Sequence, residues 1–193
     1  IEDYDDINNA DIAENYPIVE SEEIEAGTIV SAIGGSLPFV TISKQENDKN
    51  AIGIVSTSPN QVLGAHTYDY QEDVKTSRVA LSGRVPLRID PNSEPITVGD
   101  YITSSGNDGM GKRANKKGIV VGKALENWDS NSGKNKILVF VNLTYYDPSA
   151  YTDLSSLKII TPGWYRIAKI NNDGYAKVRI KNSSIGSYQN LVL

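Results

Sequence analysis

Cysteine is absent from this 193-residue chain, so neither a disulfide framework nor a thiolate metal site can be built. Histidine and methionine each occur once, and phenylalanine twice. A Ser-His-Asp triad would have to use His66, yet no G-x-S-x-G elbow exists, and a surface imidazole is the plainer reading. Gly34-Gly35-Ser36 and Gly106-Asn107-Asp108-Gly109 lack the lysine and the strand-to-helix setting of a phosphate loop, so they read as turns. No cofactor motif is present. No apolar run approaches the roughly 18 residues of a membrane span, and membrane insertion is not expected. The net charge of −5, with no basic stripe, argues against nucleic acid.

Basic residues are also missing from residues 1–25, which carry ten acids and no Lys or Arg. The rest of the chain holds 14 acids and 19 bases, a net of +5. Composition alone makes the leader a solvated acidic segment. Ile12, Tyr16 and Ile18 are interspersed among its acids, however. These predict that the segment from Asp11 onward docks on a core through them. Its carboxylates should then face water or Lys112, Arg113, Lys116 and Lys117. Asp3, Asp5 and Asp6 cluster without the glycine and glutamate of a calcium loop, and no metal site is expected.

Period-two patterns and dense turn residues predict an all-β protein of short strands. Strands are expected near 28–33, 51–56, 79–89, 100–104, 118–124, 136–143, 164–170 and 175–181, and Phe39 to Ser43 alternates. The run KNKILVFVN over 134–142 suggests a strand buried on both faces. Residues 57–76 read as a long polar loop, and only Asn9 to Tyr16 could make a short helix. Glu25-Ala26-Gly27-Thr28-Ile29-Val30-Ser31 lines up with Thr97-Val98-Gly99-Asp100-Tyr101-Ile102-Thr103. Ile52-Gly53-Ile54-Val55 likewise matches Val121-Gly122-Lys123-Ala124. Duplication and chance likeness of short β motifs both account for this. A real duplication gives a pseudo-symmetric module, an architecture more often used for assembly than for small-molecule chemistry.

Four segments follow: an acidic leader over 1–25, a β module over 26–147, a linker over 148–157, and a small β-hairpin unit over 158–193. In the last, Asn171-Asn172-Asp173-Gly174 is a strong hairpin turn. With Ile1 first, Met110 the sole methionine and Val192-Leu193 in an apolar run, the chain reads as part of a longer polypeptide, its last unit cut short.

Ala10-Asp11-Ile12-Ala13-Glu14-Asn15-Tyr16 resembles the opening of C-terminal modules of bacteriophage tail fibres and neck appendages. So do Gly53-Ile54-Val55-Ser56-Thr57-Ser58-Pro59, Leu81-Ser82-Gly83-Arg84-Val85-Pro86, Val98-Gly99-Asp100 and Gly122-Lys123-Ala124-Leu125-Glu126 that follow in order. Trp164-Tyr165-Arg166-Ile167-Ala168 resembles a strand of such fibres' terminal modules. Related modules include autoproteolytic intramolecular chaperone domains of the glutamic peptidase type. The resemblance implies a homotrimer in a virion tail or appendage, touching other virion proteins. Trp164, Tyr165 or Ile167 would lie near the axis or a subunit seam.

The acids at the matching motif positions are Asp11 and Glu14, which the resemblance implies as self-cleavage residues. On a short helix their spacing would set both carboxylates on one side, where like charges raise one pKa. The plainer alternative is two exposed acids. A third class is a carbohydrate-binding module at an extracellular or cell surface, recognising a host glycan. Its support is the pairs Tyr68/Tyr70 and Tyr145/Tyr146, although cross-strand packing explains them as readily.

Overall fold

Four glycines set the architecture. Gly27 (φ +84°) and Gly99 (φ +93°) each turn the chain into a strand through a backbone region that costs glycine nothing. Gly53 and Gly122 each lie beneath a neighbouring strand. A Cβ on Gly53 would sit 2.6 Å from the Ala80 carbonyl oxygen, and one on Gly122 would strike the Phe140 carbonyl. Only a residue without a side chain admits that approach.

The computed structural model describes residues 10–19, 23–35, 38–64, 74–148, 177–181 and 188–192, the last two stretches as backbone alone. The chain divides into two units, Ile1–Thr152 and Asp153–Leu193. The first holds β1 (Asp11–Pro17), β2 (Ile29–Ala32), β3 (Val40–Ile42), β4 (Ala51–Val55) and β5 (Gln61–Leu63). It continues with β6 (Thr76–Arg88), β7 (Tyr101–Ser104), β8 (Gly111–Arg113), β9 (Gly118–Ala124) and β10 (Lys136–Tyr146). No α-helix occurs among the described residues, so the protein is all-β as its patterning requires.

These ten strands form one sheet along the path β3-β2-β4-β6-β10-β9-β7-β8, with β1 on β6 and β5 on β1. The path has the same sense from either end: β2 answers to β7, β3 to β8, β4 to β9, and β6 to β10. Register agrees residue by residue. Val30 pairs with Gly53 as Ile102 pairs with Gly122. The Gly27 and Gly99 amides donate to the Val55 and Ala124 carbonyls at 2.9 and 2.8 Å. The Ser56 and Leu125 amides donate to the Arg78 and Leu138 carbonyls at 2.8 and 2.9 Å. Matching short motifs in the sequence thus occupy equivalent places in the sheet.

The sheet curls until its ends meet. The amides of Ile29 in β2 and Asn47 in the β3–β4 connection donate to the carbonyls of Gly109 and Ser104, at 2.7 and 3.1 Å, joining this end of the sheet to the β7–β8 hairpin. Asp48 fastens the seam from within. Its buried carboxylate accepts from Ser31 Oγ (2.6 Å), Ser43 Oγ (3.0 Å) and the Asn50 amide (2.9 Å). Its own amide donates to Ser104 Oγ at 2.8 Å. Ile29, Leu87, Ile102, Val121 and Ile137 form the main core on one face of the sheet, and Ile18, Val30, Val40 and Val79 a second cluster on the other, since neighbours such as Ile29 and Val30 point to opposite sides. Each such side chain stabilises the fold by about 1.5–3 kcal/mol on full burial.

Several expectations need correction. The helix expected over 9–16 is not formed in its described part, 10–16: Asp11–Pro17 is a strand, because β6 and β5 supply backbone partners on both edges. Asp11–Pro17 of the acidic leader is therefore part of the sheet. The 57–76 stretch contains β5, paired parallel to β1. β10 is buried on one face only; Ile137, Val139 and Val141 point inward while Phe140 stays 42% exposed. Leu81 is the extra residue of a bulge against β1, so the alternation across β6 shifts there. In the second unit β11 (Lys177–Lys181) pairs antiparallel with β12 (Tyr188–Val192). The strand expected over 164–170, the Asn171–Gly174 turn and Trp164, Tyr165 and Ile167 lie outside the described residues.

Candidate functional site

β1 carries both acids singled out by the sequence, and strand geometry separates them. Positions three apart on a strand face opposite sides, so Asp11 points inward with Ala13, and Glu14 outward. The one-sided helical pair is therefore not formed. Glu14 instead accepts from Tyr16 Oη at 2.8 Å on its own face.

Asp11 is 5% exposed, not turned to water. Its Oδ1 accepts from Ser56 Oγ at 3.1 Å, while Oδ2 has no hydrogen-bond partner among the described residues. Burial pushes the carboxyl above its ordinary range, against the smaller opposing pull of the Ser56 hydrogen bond. The backbone around it is tightly held. The Asn60 amide donates to the Asp11 carbonyl at 2.9 Å, and the Arg84 amide to the Ala10 carbonyl at 3.0 Å. Gly83, at φ +115°, is required here, since a Cβ would collide with Ala10 and Asp11.

Beyond Ser56, at the end of β1 away from Asp11, β1, β4 and β6 open into a polar cleft of about 380 Å³. Asn15, Glu23, Ser56, Thr57, Ser77 and Arg78 line it. Ser77 is 4% exposed and its Oγ, like Asp11 Oδ2, has no partner among the described residues. Sequence reading missed Ser56 and Ser77. The available signal was a hydroxyl residue at the end of each of two strands otherwise apolar on that face.

Of the leader's proposed anchors, Ile18 is buried and Tyr16 packs against the second cluster, but Ile12 is 42% exposed on the face opposite Asp11. Three of the four basic residues proposed to receive the leader have other partners. Lys112 and Lys116 approach Glu46 at 2.6 and 3.2 Å, and hold its carboxyl below the ordinary range by hydrogen bonding. Arg113 reaches Asp100 at 3.1 Å. Glu25, at the leader's end, pairs with Arg88 (2.6 Å) and Lys136 (3.3 Å). Burial raises the Glu25 carboxyl, but Arg88 and Lys136 outweigh it and leave the group below its usual range.

Tyr145 is 61% exposed, whereas Tyr146 packs against Tyr101 with ring centroids 4.7 Å apart. Lys123 Nζ lies 4.7 Å over the Tyr101 ring. The pair thus divides into one free aromatic face and one structural ring. Tyr68, Tyr70 and His66 lie outside the described residues. No group of three or more acids or histidines converges as a cation site among the described residues. No protein-family model and no curated protein matches this chain.

Proposed function

We propose that this chain is an assembly module of an elongated virion protein, a tail fibre or neck appendage, working as a homotrimer. The observation that carries the reading is the set of apolar side chains left outside along β10: Phe140, Leu143 and Tyr145 are 42%, 44% and 61% exposed. They stand on a sheet that closes its own ends, so the scaffold presents them without needing a partner to fold. Large exposed apolar groups gathered on one element mark interaction surfaces. Trimeric order and virion location come from the resemblance of the motifs between Ala10 and Glu126 to phage fibre modules. Other virion proteins and a host surface are the partners this role requires.

Light scattering on the purified chain tests it. Three times the monomer mass is expected, and Leu143→Glu with Tyr145→Ser should return the monomer while keeping the β circular-dichroism signature. A wild-type monomer at micromolar concentration overturns it. A second reading, self-cleavage at the leader, is favoured by the burial of Asp11, which raises its carboxyl above the ordinary range. A chain extended upstream that stays intact on mass spectrometry, or whose cleavage survives Asp11→Asn, counts against that reading.

A further inference from the structure

We propose that residues 1–9 of the chain dock on the outer face of β6, β10 and β9, their acids meeting Arg84 and Lys123 on either side of Phe140. Strand register sets these side chains in one row. Arg84 pairs with Phe140, Phe140 with Lys123, and Lys123 with Tyr101, so all four project from the same face. That face is the outer one, because the next residues Val85 and Val139 point into the main core while Arg84, Phe140 and Lys123 are exposed. Neither Arg84 nor Lys123 has an acidic partner among the described residues. Four residues along β6 and β10 on the same face, the cations Arg88 and Lys136 are already met by Glu25. The row at Phe140 has the charge and the aromatic surface but no such acid.

The path of the backbone selects the occupant. The Arg84 amide donates to the Ala10 carbonyl, and the Arg88 amide, on the same edge of β6, donates to the Gly27 carbonyl, each at 3.0 Å. Pro86 stands between them and has no N–H to offer a residue upstream of Ala10. Gly27 fills the edge beyond it, where even a Cβ would lie 2.9 Å from the Pro86 carbonyl oxygen. β1 therefore cannot be prolonged upstream in the plane of the sheet. Buried Val85 and Leu87 close the inner side, so the open route from Ala10 is the outer face, and Arg84 is the first side chain on it. Composition matches the row: Glu2, Asp3, Asp5 and Asp6 come with no base, and Tyr4 and Ile7 are apolar enough to lie on Phe140 and Leu138. Lys123 stands three strand spacings from β1, about 14 Å at 4.7–4.9 Å each. Asp6 and Asp5, four and five residues before Ala10, reach about 13–18 Å when extended. Docking leaves Leu143 and Tyr145 uncovered and does not rest on the assembly reading; a monomer can carry this contact and a trimer can lack it.

Zero-length carbodiimide crosslinking tests this on the unaltered chain, since it joins a lysine only to a carboxylate in contact with it. Peptide mapping of the single-chain band from a denaturing gel is expected to find Lys123 joined to Asp3, Asp5 or Asp6. That link should exceed any from the same acids to Lys49 or Lys117, which are exposed elsewhere on the surface. Arg84→Glu should lower its yield about threefold or more, the scale of one exposed ion pair. Phe140→Ala should lower it too, through lost apolar contact rather than charge, and Lys49→Glu should leave it unchanged. Circular dichroism checks that each variant keeps the β signature, and Phe140→Ala decides the matter if Arg84→Glu disturbs the fold. No link to Lys123, a link no stronger than those to Lys49 and Lys117, a link found only between chains, or a yield indifferent to Arg84→Glu and Phe140→Ala overturns the proposal.

Discussion

The strands β2, β3, β4 and β6 and the strands β7, β8, β9 and β10 are two copies of one arrangement, yet only the first carries β1 and β5. Where the halves agree, the residues in common are backbone devices: Gly27 with Gly99, Gly53 with Gly122, and matched hydrogen bonds on either side. Where they differ, the first half gains a buried carboxylate oxygen and a buried serine hydroxyl that have no partner among the described residues, and a polar cleft. The second half gains an exposed apolar strip on β10. Agreement therefore marks what the fold needs, and departure marks what has been added to it. Two buried aspartates show the distinction at atomic scale. Asp48 has three donors and holds the seam, while Asp11 has one donor among the described residues and a second oxygen with none there.

Removing Asp48 should break the comparison hardest. Asp48→Ala takes away three charge-assisted hydrogen bonds and strands two buried serine hydroxyls. At roughly 1.5–3 kcal/mol each, and less than additive, about 4 kcal/mol of stability should be lost in urea unfolding. Asp11→Ala should cost far less, because a single hydrogen bond is lost and an unpaired oxygen goes with it. Equal losses at the two sites would end the contrast between seam and cleft.

The symmetry itself is tested by paired substitution. Gly53→Val and Gly122→Val each drive a side chain into a carbonyl of the next strand, and each should cost about 2–3 kcal/mol. Similar costs, with unfolding still a single transition, are expected if the halves fold as one sheet. Tolerance at one glycine and collapse at the other would show that the likeness is only topological.

The strands of the module were legible because they are written in alternation and punctuation, which are local properties. Gly53 and Gly122 interrupt β-branched runs in matching local patterns, so their equivalent places in the sheet could be anticipated. Asp11 to Tyr16 misled for the opposite reason. Its residues tolerate a helix, and the strand exists only because β6 and β5, more than 40 residues downstream, offer both edges. The candidate site was hidden in the same way. Ser56 meets Asp11 across 45 positions, and nothing near either residue announces the other. Lys112 and Lys116 were assigned to the acidic leader on charge alone, but the curl of the sheet delivers them to Glu46 instead.

The smallest effect separates the two halves most finely, through pH. Burial raises the Asp11 carboxyl, so the folded protein binds this proton more tightly than the unfolded chain does. The stability it contributes is complete below the ordinary aspartate value. It declines as pH rises from that value to the higher folded one, and is flat above. Glu25 runs the other way: its depressed carboxyl contributes above the usual glutamate value and weakens as pH falls. Glu25 is 60% exposed on its side chain, so solvent screens that term and it should be slight. Amide hydrogen exchange along Ile12 to Tyr16 isolates β1 from the rest of the sheet. Protection there should increase as the medium is acidified, while Leu138 and Val139 in β10 stay level. Asp11→Asn fixes an uncharged group at the site, so it should flatten the β1 profile and hold it at its acidic level, changing overall stability by less than about 1 kcal/mol. A slope that survives in Asp11→Asn would assign the proton to another group, and a slope shared by β10 would mean that the whole sheet titrates and that β1 is no separate addition.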